Sequence, residues 1–133
     1  MTFTEHELSY LADQVLGRLA TVDASGAVQN NPVGFHYNTG TATIDIAGYS
    51  MGSSRKFRNV LATGRAALVV DDIASTRPWR VRGVEIRGRA EAVTDVPHPP
   101  PGMSSELIRI HPEKIISWGV EPGVDGIRSR KVG

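Results

Sequence analysis

One run of nine residues, MGSSRKFRN at 51–59, gathers groups suited to binding an anion. Ser53 and Ser54 bring hydroxyls, and Arg55 and Lys56 bring positive charge, just where a helix begins. The first N–H groups of a helix have no intrahelical acceptor, and the helix dipole favours negative charge there. Cations at that end are unfavourable for the helix itself, so their presence points to an offsetting anion. A phosphate meets that need, and arginine takes phosphate through two parallel hydrogen bonds. A capped, solvated helix start would use the same residue types, and the residues alone leave both readings open.

Other groups carry weaker chemical signals. Trp79, Arg80 and Arg82 form a second basic and aromatic cluster, read either as a ligand contact or as a strand that buries its tryptophan. Trp118 in ISWG is read as core or dimer interface, because a large ring makes a good anchor. His36 follows Phe35 on a strand and is either a proton donor in a cleft or a surface histidine. Asp71-Asp72 has no histidine pair or third carboxylate at ligand spacing, so no metal site is expected. Cysteine is absent, which removes thiol nucleophiles, thiolate metal sites and disulfides. No G-x-S-x-G elbow supports a serine hydrolase.

The elements that must position these groups follow from periodicity and turn chemistry. Thr4-Glu5-His6-Glu7 has the form of a capping box and predicts a short helix to about Gln14. GRLATV and VQNNPVGFHY read as a hairpin joined by the turn formers DASG, with Pro32 marking an edge or a bulge. TATIDIAGY alternates, with Ile44 and Ile46 on one face and Thr43 and Asp45 on the other. Phe57, Val60 and Leu61 predict a helix over 54–62, with Gly64 just past its end. RAALVVDD reads as a buried strand, IASTRPWR as a loop, and VRGVEIRGRAEAV as a long strand whose Val84, Ile86, Ala90 and Ala92 share one face. DVPHPPPG is an extended loop, read as crossing the surface. IRIHPEKIISWGV is a last strand interrupted at Pro112, and DGIRSRKVG has no apolar periodicity and reads as a mobile tail. Helix, strands, helix, strands is not the alternation of a doubly wound sheet. It predicts a small, mainly antiparallel barrel with two outer helices in a single domain, residues 1–133.

Composition sets the outer limits. The chain has 133 residues, a net charge of +1 and 40% hydrophobic residues. That balance argues against a dedicated nucleic-acid binder. No apolar run is long enough for a transmembrane helix, and the first ten residues lack the apolar stretch of a signal peptide. A cytoplasmic protein with no membrane partner is the expectation.

Taken in order, LGRLATVDASGAVQNNPVGF, TIDIAGYSMGSSRKFRNV, ALVVDD, RPWRVRGVEIRGRAEAV and IRIHPEKIISWGV resemble the FMN-binding split-barrel family, the pyridoxamine 5′-phosphate oxidase-like proteins. Within it the chain is most similar to small actinobacterial members that use the deazaflavin coenzyme F420, in the subfamily that includes the oxytetracycline-biosynthesis reductase. The resemblance implies a six-stranded split barrel with flanking helices and a homodimer with cofactor sites between subunits. It implies that Ser54, Arg55 and Lys56, with Ser53 nearby, hold a cofactor phosphate, and that Asn31, Pro32 and Val33 line its ring system. Trp79 would pack over the ring from the partner subunit, and Arg80 would meet an acidic tail. F420 carries an oligoglutamate tail and FMN does not, so Arg82, Arg128, Arg130 and Lys131 are further candidates for a basic surface along it. The implied activity is hydride transfer to a conjugated, enone- or quinone-like small molecule. FMN presents a phosphate to the same residues, so an FMN reductase or oxidase and a non-catalytic carrier stand as alternatives. The long C-terminal part of true pyridoxamine phosphate oxidases has no counterpart here.

Overall fold

The computed structural model describes residues 2–133. Helix α1 (Glu5–Ala12) opens as the capping box requires. The Glu7 N–H donates to Thr4 Oγ1 at 3.1 Å, and the Thr4 N–H donates to Glu7 Oε1 at 2.9 Å. Strands β1 (Gly17–Val22) and β2 (Val28–Val33) then form an antiparallel hairpin. Asp23 builds its turn: one carboxylate oxygen accepts from the N–H groups of Ser25 and Ala27, while Gly26 supplies a φ of +92°. Strands β3 (His36–Asn38) and β4 (Thr43–Ala47) follow, then a 3₁₀ turn at Met51–Ser53 and helix α2 (Arg55–Thr63). The long strands β5 (Arg65–Thr76), β6 (Trp79–Val93) and β7 (Leu107–Trp118) and the short β8 (Ile127–Lys131) complete the chain.

The strands pair in the order β2-β1-β5-β6-β7-β4-β3, all antiparallel, with β8 added to β7. The two ends of that path are consecutive in the chain. Val33 and His36 are three Cα steps apart, a reach of about 11 Å, so the sheet has to curl until its first and last strands meet at one corner. No ladder joins β2 to β3, which leaves the barrel split. This is the mainly antiparallel split barrel expected from sequence, with β3 and β8 bringing the sheet to eight strands. Pro32 lies on the edge strand, where a missing N–H breaks no ladder on the open side. Leu19, Ile44, Ile46, Leu68, Val70, Val84, Ile86, Ile108, Ile110 and Ile115 fill the interior, joined by Phe57 and Val60 of α2. Val84, Ile86 and Ala90 share the inner face as their alternation predicts, and Ala92 packs at its margin.

Three segments differ from the sequence reading. VQNNPVGFHY is not one strand: β2 ends at Val33, β3 begins at His36, and the two lie at opposite ends of the sheet order. IASTRPWR is not a loop: β5 runs through Thr76 and β6 begins at Trp79, so only Arg77-Pro78 turns the chain. Cross-strand pairs of β-branched and aromatic residues, Ile73 with Val81 and Thr76 with Trp79, extend the hairpin beyond the core. DGIRSRKVG is not a mobile tail, because Ile127–Lys131 pairs with β7 and Arg130 reaches the fully buried Glu7 with two contacts of 2.6 Å. Tertiary charge pairing supplies what the tail's periodicity lacks. The expected break at Pro112 takes the form of a β-bulge. Gly88 faces Pro112 while Arg87 faces Lys114, and a Cβ on Gly88 would collide with the His111 carbonyl.

The Glu7–Arg130 pair makes stability depend on acid. Burial pushes the Glu7 carboxyl up, but hydrogen bonds from Arg130 and the Thr4 backbone, with the Arg130 charge, hold it below its ordinary value of 4.5. A depressed carboxyl contributes stability that is complete above the unfolded value and is lost as pH falls through the folded one. Arg130→Met leaves a buried carboxylate without its partner and should cost about 3 kcal/mol near neutral pH. Thermal melts from pH 7 to pH 3 should show wild type losing stability at the acid end and the variant recovering part of its deficit there. Parallel curves would show that the pair does not govern the acid response.

Candidate functional site

Helix α2 brings the phosphate-binding candidates together. Its N-cap is Ser54, whose Oγ accepts from the Phe57 N–H at 3.2 Å and donates to the Met51 carbonyl at 2.6 Å. Ser53 Oγ likewise donates to the Ser50 carbonyl at 3.2 Å. The hydroxyl hydrogens of both serines are thus used within the turn, and they shape the site rather than stand free in it. The free donors are the next two residues. Among the described residues the backbone N–H groups of Arg55 and Lys56 have no hydrogen-bond acceptor, and neither side chain has a carboxylate partner. Two unpaired cations and two unpaired amides on one helical turn fit an anion with several acceptor oxygens, which is the chemistry of a phosphate group.

The side of α2 away from solvent fixes where that turn points. Thr63 Oγ1 donates to the Val22 carbonyl at 3.0 Å. One turn earlier, the buried Asn59 donates its amide to Thr21 Oγ1 at 3.0 Å and to Gln29 Oε1 at 3.4 Å. The order of these contacts directs the helix N-terminus toward the end of the β1–β2 pair where Leu19 faces Asn31. Asn31 and Val33 lie on the inner side with Gln29, half-buried and buried respectively. Pro32 alternates to the outer side, exposed, opposite Arg18. The three ring-lining candidates therefore do not share one face. Asn59 and Gln29, which anchor the helix that carries the candidate turn, are residues that sequence reading missed. The only available signal was that Asn59 follows Lys56 by three positions and so shares its side of the helix.

Trp79 and Arg80 lie elsewhere in the chain. They stand at the far end of the β5–β6 hairpin, with Trp79 65% exposed, so the tryptophan is not core. They border a groove of about 880 Å³ closed on its other side by Trp118, Pro122, Val124 and Ile127. Trp118 is half-buried and lies over Gly83, where any Cβ would meet its ring. This groove shares no lining residue with the α2 turn. Arg82 is committed to Asp72, with Nε to Oδ1 at 3.0 Å. Its hydrogen bonds, with that of the Tyr10 hydroxyl, hold the Asp72 carboxyl below its ordinary value despite some desolvation. Arg128 is paired with Glu121 at 2.7 Å and Arg130 with Glu7, which leaves Arg80 and Lys131 as the members of the expected basic surface without a carboxylate partner among the described residues. His36 is exposed on β3, three positions past Val33, and its ring makes no hydrogen bond among the described residues.

A second cavity, of about 540 Å³, adjoins the α2 start. Tyr49, Ser50, Ser53, Thr94, Ser104 and Glu106 line it. The proline-rich loop, read from sequence as a surface crossing, reaches its rim, with Gly102 packed beside the Tyr49 ring. Among the described residues no three His, Cys, Asp or Glu side chains approach as a metal site, and no helix is long and apolar enough to cross a membrane.

The chain is similar to several known proteins. A 5a,11a-dehydrotetracycline/5a,11a-dehydrooxytetracycline reductase from Streptomyces rimosus is 45% identical over 134 residues, covering 99% of this chain and 94% of that protein. The General Stress Protein 26 of Bacillus anthracis superposes with a TM-score of 0.69 at 16% identity, over 99% of this chain and 100% of that one. A structure described as an F420 reductase does so with a TM-score of 0.65 at 22% identity, over 85% of this chain and 98% of that one. The two superpositions speak to the fold. The profile of the pyridoxamine 5′-phosphate oxidase family matches residues 3–119, and the chain belongs to that family.

Proposed function

We propose that this chain is an F420H2-dependent reductase that delivers a hydride to the conjugated C=C bond of an enone- or quinone-like small molecule. The observation that carries the reading is the α2 turn. Its two cations and two amides stay unpaired within a chain 45% identical, over nearly its whole length, to a reductase. Arg55 and Lys56 would hold the phosphate of the coenzyme, with Ser53 and Ser54 shaping the turn beneath it. Bound there, the reduced deazaflavin supplies the hydride. Asn59 holds α2 against β1 and β2, so the phosphate seat and the Asn31–Val33 backbone keep a fixed separation. Fixed orientation of this kind accounts for much of the rate in a two-electron transfer that needs no nucleophile. The completing proton would come from water or from a side chain, for which His36, exposed on β3, is a candidate. The reaction is placed in the cytoplasm, where a soluble coenzyme and substrate meet.

One observation favours FMN instead. Arg82, Arg128 and Arg130 are spent on internal carboxylates, which thins the basic surface an oligoglutamate tail calls for. Calorimetric titration with F420 and with FMN, followed by assay of F420H2 oxidation against a panel of conjugated acceptors, separates the readings. The expected outcome is tighter F420 binding, acceptor-dependent oxidation, and a loss of about 1.5–3 kcal/mol per contact in the Arg55→Ala/Lys56→Ala double variant. Preference for FMN would support the flavin enzyme, and binding without turnover across the panel would support the carrier.

We also propose a homodimer in which Trp79 and Arg80 complete the partner's site. Ile73, Trp79, Val81 and Ile127 are 41–74% exposed and form an apolar strip along the hairpin and β8, the kind of surface that a second subunit covers. Light scattering over a dilution series should give twice the mass of 14.4 kDa down to low micromolar concentration. A monomer that retains the coenzyme would exclude the shared site.

A further inference from the structure

The cavity beside the α2 turn has a charge character opposite to that of the phosphate seat. Its wall carries the Glu106 carboxylate, which has no Lys, Arg or His partner within salt-bridge distance among the described residues. None of Arg55, Lys56 and Arg58 lines the cavity, and Arg58 Nη1 donates to the Ser53 carbonyl at 3.0 Å. The carboxylate is nonetheless held in place. Oε1 accepts from the Gly52 N–H at 3.2 Å and Oε2 from Ser105 Oγ at 3.4 Å. Gly52 is required for this approach, because a Cβ there would lie 2.8 Å from Oε1 and 2.9 Å from the carboxyl carbon. The neighbouring wall is pinned too. Ser104 Oγ accepts from the Met51 N–H at 3.0 Å and donates to the Gly48 carbonyl at 3.1 Å. Two aromatic rings complete the lining, the 75% exposed Tyr49 at the mouth and the buried Phe57 at the base.

These features restrict the ligand. An unpaired carboxylate repels an anion, and a purely apolar guest would strip water from it without compensation. The remaining classes are hydroxyl donors and cations. Aromatic walls attract a cation through their negative faces, and an alkylated ammonium also contributes apolar contact with them. The volume is within the range of small-molecule sites. We propose that this pocket binds an organic ammonium group, with Glu106 as the counter-charge and Tyr49 as the aromatic wall. The pocket adjoins the phosphate seat through Ser53, so in the reductase it would hold an amine of the substrate. That use rests on the proposed function, whereas the ammonium site does not.

Choline and its neutral carbon isostere, 3,3-dimethylbutan-1-ol, test the inference, because they share shape and hydroxyl and differ in charge. Each is titrated into the coenzyme-free protein and followed by 1H–15N amide shifts. Choline should move the Gly52 amide saturably, and the isostere should bind at least ~10-fold more weakly. Glu106→Gln should weaken choline by a similar ~10-fold while leaving the weak isostere binding unchanged. Equal binding of the two probes to wild type, or no movement at Gly52, overturns the proposal, and this comparison holds whether or not the variant folds. Neither probe is reducible, so the result is independent of whether the chain proves to be a reductase.

Discussion

The placement of α2 is the constraint on which the candidate site depends. A helix leaves its first N–H groups without partners wherever it lies, and here the Ser54 cap supplies Phe57 while Arg55 and Lys56 go without. What gives that remainder a function is direction. The Asn59 and Thr63 side chains bond to β1 and β2 rather than to solvent, so the open turn is held toward the inner face of the edge strand. Phe57 and Val60, buried in the core on an adjoining side, prevent the helix from rolling. Core packing, a buried amide and a serine cap thus converge to aim two cations at one place.

Three arginine–carboxylate pairs hold the periphery and commit Arg82, Arg109 and Arg130 to joints within the fold. Arg130 ties β8 to α1 through Glu7, Arg82 ties the root of the hairpin to α1 through Asp72 and Tyr10, and Arg109 ties β7 to β4 through Asp45. Burial pushes the Asp45 carboxyl up, but Arg109, Asn38 and Thr43 together hold it below its ordinary value. The Tyr10 hydroxyl is pushed well up, by burial first and by Asp72 second. Each carboxylate is thereby kept charged and matched, so the pairs act as joints between elements. Arg55 and Lys56 stand apart from this scheme, and what distinguishes them from the other unpaired cations is their place beside the open amides of the α2 turn.

Local chemistry was legible in the sequence and tertiary pairing was not. The Thr4–Glu7 box, the Asp23 turn and the Gly64 cap with φ of +66° are contained in four or five consecutive residues, and each is where the residues place it. Alternation likewise identified the inner face of β6. The β8 strand escaped because its support is a carboxylate 123 positions away, and the extension of β5 escaped because its pairs lie beyond the apolar core. Glu106 gave no signal at all. It is a single acid before an apolar strand, and its meaning comes from Gly52, 54 residues earlier. The anion site lay between these cases: its residue types were adjacent in sequence, whereas the freedom of Arg55 and Lys56 from carboxylates is a property of the fold.

The account rests on the first turn of α2 being the seat of a coenzyme phosphate. The most direct measurement is the 1H–15N spectrum of the protein titrated with F420, with the amides of Arg55 and Lys56 assigned. Both amides should shift downfield, saturably and in step with the coenzyme's own binding curve, as unpaired N–H groups acquire a charged acceptor. Coenzyme binding that leaves these two amides unmoved, with the changes confined to the hairpin groove or to the Glu106 pocket, would contradict it.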